Sequence, residues 1–212
     1  MPAGEFEGWP PSALTWFDGL EADNSKAWFH EHRATYDADV RGPLELLLEE
    51  VREEFGDGIV SRPNRDIRFS KDKTPYKLQI YGRIPRDDGV FYVSLRNEGM
   101  FVGGGVYLPD RERLARLRAA IADERTGPEL EAIVADLAAA GIELMTDGAL
   151  KTAPKGYAKD HPRIELLRLP HLAAGRLHPP APWLHTRGVL DRVVDGWRAV
   201  TPLIEWVGRR LG

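Results

Sequence analysis

The sequence contains no cysteine among its 212 residues. That excludes disulfides, thiolate metal sites and cysteine nucleophiles. No apolar run in it reaches the ~18 residues that a membrane-spanning helix needs. The opening Met-Pro-Ala-Gly-Glu-Phe-Glu lacks the charged and apolar regions of a secretory signal. These absences predict a cytoplasmic protein with no membrane partner. There is no large excess of either charge: 29 Lys and Arg face 33 Asp and Glu, for a net -4. A protein that coats duplex nucleic acid would be far more basic. Apolar residues make up 42%, enough to build a core in one domain of this length.

The overall balance hides a local asymmetry. Residues 62–86 hold eight Lys or Arg and two Asp, a formal +6 on a body that is otherwise acidic. A basic patch on an acidic body attracts a compact anion while disfavouring indiscriminate nucleic-acid binding.

Periodicity organises the chain into helices, then strands, then helices. Residues 1–11, with three Pro and two Gly, read as a flexible lead, and residues 12–209 as one domain. Ser12 is placed to cap a first helix carrying Leu14, Phe17 and Leu20. Asn24 is placed to cap a second, with Trp28, Phe29 and Tyr36. Gly42-Pro43 opens a third, whose Leu44, Leu47, Leu48, Val51 and Phe55 share one side. The period then falls to two. Residues 65–70 and 76–84 alternate as strands, Phe91, Val93 and Leu95 oppose Tyr92, Ser94 and Arg96, and Met100, Val102 and Val106 continue a strand through Gly103-Gly104-Gly105. Turns at residues 85–89 and 97–99 join these into an antiparallel meander with one apolar and one polar face. Helical spacing returns at 111–124, 128–140, 162–168 and 187–208, with Pro202 expected to kink or divide the last. Residues 170–186, with four Pro, read as a loop or extended crossover. The fold class expected is α+β, an antiparallel meander packed by N-terminal, central and C-terminal helices.

The segment Arg65-Asp-Ile-Arg-Phe-Ser-Lys-Asp-Lys-Thr-Pro-Tyr-Lys77 carries five basic residues in thirteen. Arg65, Arg68, Lys71, Lys73 and Lys77 are candidate anion contacts: arginine offers a planar donor fork and lysine a mobile point charge. Ser70 adds a hydroxyl, and Arg83 and Arg96 contribute from the following strands. Asp66 and Asp72 are the acid–base candidates, with Asp66 also suited to orienting Arg68. Two readings remain open on the residues alone. One is an anion site, and the other a solvated hairpin in which each aspartate neutralises a neighbouring base.

This segment makes the chain resemble the DUF2461 family, a group without an established reaction. The resemblance runs over about residues 12–209. It begins at Leu20-Glu-Ala-Asp-Asn24, Trp28-Phe29 and Tyr36, and is strongest at residues 65–77. It continues through Gly103-Gly104-Gly105 with Tyr107 and through Ala153-Pro-Lys-Gly-Tyr157. The family's asparagine pair stands here as Asp23-Asn24. Resemblance implies a shared fold and a shared surface, and no particular chemistry.

Two further segments carry candidate contacts. Gly103, Gly104 and Gly105 allow close approach of backbone to a ligand, or to a neighbouring strand or aromatic ring. Lys155 and Tyr157 are candidates to close over an anion seated on the basic segment, with Arg163 joining from the next helix. No Walker loop, dinucleotide fingerprint, His-Glu-x-x-His, calcium loop or Gly-x-Ser-x-Gly elbow is present. No resident metal is expected, and no cofactor is specified.

The leading functional expectation is a small phosphorylated or carboxylate ligand in a basic pocket. Phosphoryl or phosphodiester chemistry on such a ligand is the enzyme alternative, with Asp66 or Asp72 as acid–base group or metal contact. An RNA-binding module is a third reading, favoured by an open basic stripe with exposed Tyr81 and Tyr92. A purely structural ionic network is the fourth.

Overall fold

The computed structural model describes residues 4–68, 72–107 and 109–211. The N-terminal helices are α1 (Pro11–Ala22), α2 (Lys26–Glu31), α3 (Arg33–Thr35), α4 (Gly42–Glu50) and α5 (Arg52–Phe55), with a π-helical turn at Tyr36–Arg41 between α3 and α4. Strands β1 (Ile59–Val60), β2 (Ile80–Arg86), β3 (Gly89–Arg96) and β4 (Gly99–Val106) follow. Then come α6 (Arg111–Ala122), α7 (Gly127–Ala139), β5 (Glu143–Leu144), α8 (Ile164–Arg168) and β6 (Leu172–His178). A 3-10 turn at Pro182–His185 leads into α9 (Gly188–Leu211).

The strands form one six-stranded antiparallel sheet in the order β1-β2-β3-β4-β6-β5. Two-residue turns, Asp87-Asp88 and Asn97-Glu98, join β2 to β3 and β3 to β4. This is the α+β meander that the alternating pattern predicted. Ile59 lies opposite Arg83 in the β1/β2 pair, and Glu143 opposite Gly175 in the β5/β6 pair.

The chain divides into two compact units. The first comprises Met1–Ile84, Tyr92–Val102 and Leu177–Asp195. Its core holds Trp16, Phe17, Leu20, Phe29, Leu44, Leu47, Ile80, Val93 and Leu95. Gly82 leaves β2 bare beneath α4, where a Cβ would lie 2.9 Å from a Leu48 methyl. Residues 4–10 are not the loose lead expected from their Pro and Gly content. Phe6 and Trp9 are buried, Trp9 Nε1 donates to Val40 O at 3.2 Å, and Arg187 Nη1 donates to Phe6 O at 2.8 Å. Two large aromatics bury enough apolar surface to fix a segment without secondary structure.

The second unit comprises Pro85–Phe91, Gly103–Arg176 and Gly196–Gly212. Leu117, Ile121, Leu130, Leu137, Leu167, Trp197, Leu203 and Trp206 are buried within it. The ring centroids of Phe91 and Trp197 lie 5.5 Å apart, and Trp206 Nε1 donates to Thr126 O at 3.2 Å.

Several local expectations change for identifiable reasons. Pro10, not Ser12, occupies the cap position of α1, and the Ser12 hydroxyl donates to Asp39 Oδ2 at 2.7 Å. Ser25 caps α2 by accepting from Trp28 N at 3.1 Å, one residue after the expected Asn24. Residues 170–186 include a sheet strand, β6. Its first four residues are buried on both faces, so the alternation that announces a half-exposed strand is absent. Pro202 lies inside α9 without dividing it.

Candidate functional site

The described residues of the basic segment, 65–68 and 72–77, lie in no strand. A single bridge pairs Asn64 with Tyr76, flanked by Arg65 N donating to Pro75 O at 2.8 Å and Lys77 N to Pro63 O at 2.9 Å. Beyond that bridge, aspartates replace the ladder. Asp66 Oδ1 accepts from Arg68 N at 3.3 Å, and Asp72 Oδ1 accepts from Thr74 N at 2.9 Å. These short side-chain-to-backbone bonds compete directly with strand pairing. Residues 76–79 are also outside the strand expected to begin there, and Leu78 is exposed, because β2 starts only at Ile80.

The base of the loop is fixed by a residue whose position in the sequence suggests a helix cap. Asn24 accepts from Tyr76 N at 3.0 Å through Oδ1 and donates to Tyr76 O at 3.2 Å through Nδ2. One amide side chain thereby satisfies both backbone groups of a single residue. The Tyr76 ring stacks on Phe29 with centroids 4.0 Å apart and planes 10° apart. No local pattern announces this contact, because its partners are 52 residues apart.

Within the loop the charges sort into three groups. Arg68 grips Asp66 with Nε at 2.9 Å and Nη2 at 2.6 Å, leaving Nη1 unused by that pair. Arg65 Nη1 donates to Asp72 Oδ2 and, at 2.6 Å, to Thr74 Oγ1. The two lysines donate to main-chain carbonyls. Lys73 Nζ reaches Ile67 O at 2.9 Å, and Lys77 Nζ reaches Arg62 O and, at 2.9 Å, Asn64 O. Lys77 also lies over the Tyr81 ring, 5.6 Å from its centroid. Burial and then the nearby Arg62 charge lower the Lys77 pKa.

Both aspartates are held ionised. Asp72 is pulled down to about 2 by the Thr74 amide, the Thr74 hydroxyl and then Arg65. Asp66 is lowered chiefly by the Arg68 side chain and then by the Arg68 amide. A carboxylate that titrates far below neutrality is a poor general base at pH 7. The geometry makes the two aspartates holders of Arg65 and Arg68. The contribution of Asp72 to loop order is complete above the usual carboxylate range near pH 4 and is lost as pH falls through about 2. A carboxyl-carbon NMR titration is therefore expected to give Asp72 a midpoint near 2, and Thr74→Ala to raise it. A midpoint near 4 in the parent protein would contradict the Asx turn.

The remaining candidates belong to other elements of the chain. Arg83 is exposed on β2, and Arg96 ends β3 in an ion pair with Glu98 at 2.6 Å. Ser70 and Lys71 lie outside the described residues. Lys155 and Tyr157 belong to the second unit, in a turn where Tyr157 N donates to Pro154 O at 3.2 Å. Arg163 is not a surface contact: it is buried and its guanidinium donates to Ile121 O, Ala122 O, Glu124 and Glu131. Tyr81 and Tyr92, candidates for base stacking, are half-buried and stack on each other at 5.3 Å. Their ring faces are turned toward one another.

The three glycines of β4 are approached by protein backbone. A Cβ on Gly103 would lie 2.3 Å from Ala174 O, and one on Gly105 2.4 Å from Leu172 O. Their bareness lets β4 lie close against β6. Among the described residues, no three His, Asp or Glu side chains converge as a metal-binding group.

Fold and loop together define an α+β protein whose six-stranded antiparallel sheet is accompanied by a mixed-charge basic loop, clamped at its base. The chain belongs to the family described as Conserved hypothetical protein (DUF2461), whose model matches residues 12–206. No curated protein matches its sequence. None of the described helices is long and apolar enough to cross a membrane.

Proposed function

We propose that the protein binds a small phosphorylated or carboxylate anion at the loop of residues 62–77, as a binding protein and not through acid–base chemistry of its aspartates. One observation carries this reading. The loop has an anchored base, clamped by Asn24 and the Tyr76–Phe29 stack, yet Arg68 stays 76% exposed at its far end. A purely solvated hairpin has no need of so fixed a base, whereas an anion site gains affinity when its donors are ordered beforehand. Asp66 orients the Arg68 fork and leaves Nη1 for the ligand. Lys73, exposed beside it, adds a second positive charge. Lys77, already committed to two carbonyls, holds the loop's shape.

Thermal shifts with inorganic phosphate, pyrophosphate and citrate test the proposal. At least one of these anions is expected to raise the unfolding midpoint of the parent protein. Arg68→Ala is expected to weaken that anion by roughly tenfold or more, the scale of one lost charge-assisted hydrogen bond. The ligand-free midpoint should barely move, since the Arg68–Asp66 pair is exposed. The reading fails if no anion stabilises the parent, or if Arg68→Ala lowers the ligand-free midpoint and leaves anion stabilisation intact.

A further inference from the structure

A second cluster of chemistry lies in the unit formed by residues 85–91, 103–176 and 196–212, away from the basic loop in sequence. It involves Tyr107, just beyond β4, Asp147 after β5, and His171 just before β6. The Tyr107 hydroxyl donates to Asp147 Oδ2 at 2.8 Å. The Tyr107 ring stacks over the His171 imidazole with centroids 4.6 Å apart. His171 Nε2 lies 3.3 Å from Asp147 Oδ1. The His171 side chain is fully buried, whereas that of Asp147 is 56% exposed.

The imidazole is anomalous. Both of its ring nitrogens are buried, and neither makes a hydrogen bond, even though Nε2 has a carboxylate oxygen within reach. Buried polar nitrogens without partners are costly and uncommon. The Nε2–Oδ1 separation of 3.3 Å, with no hydrogen bond between the two atoms, is also the separation of two ligands of one ion. Two atoms each ~2.0–2.1 Å from a tetrahedral metal stand about 3.3–3.4 Å apart.

We propose that His171 Nε2 and Asp147 Oδ1 bind a divalent transition-metal ion of the zinc class. An imidazole with a carboxylate suits zinc, cobalt or nickel, and selects against magnesium and calcium, which take oxygen ligands. Tyr107 is the positioning residue. Its hydroxyl occupies Oδ2 and turns Oδ1 toward the imidazole, and its ring fixes the imidazole plane, as outer-shell partners do at metal sites. The ion enters from the solvent side of Asp147. With two protein ligands, its remaining positions are taken by water or by a ligand, and its affinity is below that of a four-ligand structural site. The triple glycine is part of the same construction. By letting β4 lie against β6, it places Tyr107 over His171.

The test is a titration of the full chain with Co²⁺, read by visible absorption and by the His171 imidazole resonances, with Zn²⁺ as competitor. The expected result is one saturable equivalent that shifts His171 and is displaced by Zn²⁺. Asp147→Asn, a change at an exposed side chain that leaves the core intact, is expected to abolish that equivalent. Tyr107→Phe is expected to weaken it by roughly 10–100-fold, the usual cost of an outer-shell partner. Failure of the parent chain to bind Co²⁺ or Zn²⁺ overturns the proposal. So does binding that persists unchanged in Asp147→Asn, or that leaves the His171 resonances unmoved.

Discussion

Replacing Arg163 with alanine is expected to lower stability by about 3–5 kcal/mol, chiefly the cost of leaving two helix-end carbonyls unsatisfied at ~1–3 kcal/mol each, because the partner carboxylates Glu124 and Glu131 are exposed enough to re-solvate. Helix α6 ends at Ala122, and its last carbonyls have no partner within the helix. Arg163 supplies one. Nε donates to Ile121 O at 2.7 Å, and Nη2 to Ala122 O at 3.3 Å. The same guanidinium pairs with Glu124 at 2.5 Å and Glu131 at 3.2 Å, while its side chain is only 4% exposed. Its positive charge also faces the negative end of the α6 dipole. Alanine would strand two carbonyls and uncouple two carboxylates in one step.

At ~2–4 °C per kcal/mol for a chain of this size, the melting midpoint should fall by roughly 6–20 °C. Arg163→Lys should recover little, since one ammonium cannot span the four acceptors that the planar fork reaches. Melting curves by circular dichroism decide the matter. A midpoint within experimental error of the parent would mean that water serves the α6 terminus equally well. Gly127 belongs to the same arrangement, because a Cβ there would sit 2.3 Å from Arg163 Nε.

The second large effect is expected at Gly105. Its φ is +139°, and an added Cβ would lie 2.4 Å from Leu172 O and 2.5 Å from Ala173 Cα. Alanine there meets backbone strain and a collision with another strand's main chain, and neither obstacle is a flexible side-chain tip. The expected cost is about 3 kcal/mol or more, the sum of a strained φ and an overpacked contact. Gly156→Ala separates the two contributions. Gly156 also has positive φ, +93°, but nothing lies within 4 Å of its added Cβ. That variant should cost only the strain, about 1–2 kcal/mol. Urea midpoints of the two variants should differ clearly. Equal midpoints would show that β4 and β6 can separate without penalty. If the strands do separate in Gly105→Ala, Tyr107 also leaves His171, so the variant should lose Co²⁺ binding as well.

Much of the fold was legible because it is written in local periods. Alternation and the two tight turns located β3 and β4, and the 3.6-residue spacing located α6 and α7 within two residues at either end. The misplacements have two causes. Where side chains compete with the backbone for hydrogen bonds, period is misleading: Asp66 and Asp72 fold residues 66–68 and 72–74 into Asx turns, although residues 65–70 alternate like a strand. Where both faces are buried, period vanishes, so the stretch that holds β6 reads as a loop or extended crossover. The basic loop itself was conspicuous in composition. Its clamp was not, since a polar residue at a helix start suggests a cap before it suggests a distant backbone.

The sequence by itself determined the α+β class, the antiparallel meander, the concentration of positive charge and the family, because each is carried by neighbouring residues. Only the tertiary structure decided that Asn24 holds Tyr76, that Arg163 is a buried helix terminator, and that Tyr107, Asp147 and His171 meet. Those contacts join positions 24 and 76, 121 and 163, and 107, 147 and 171. Such pairings arise when helices and strands pack, and no local pattern of residues encodes them.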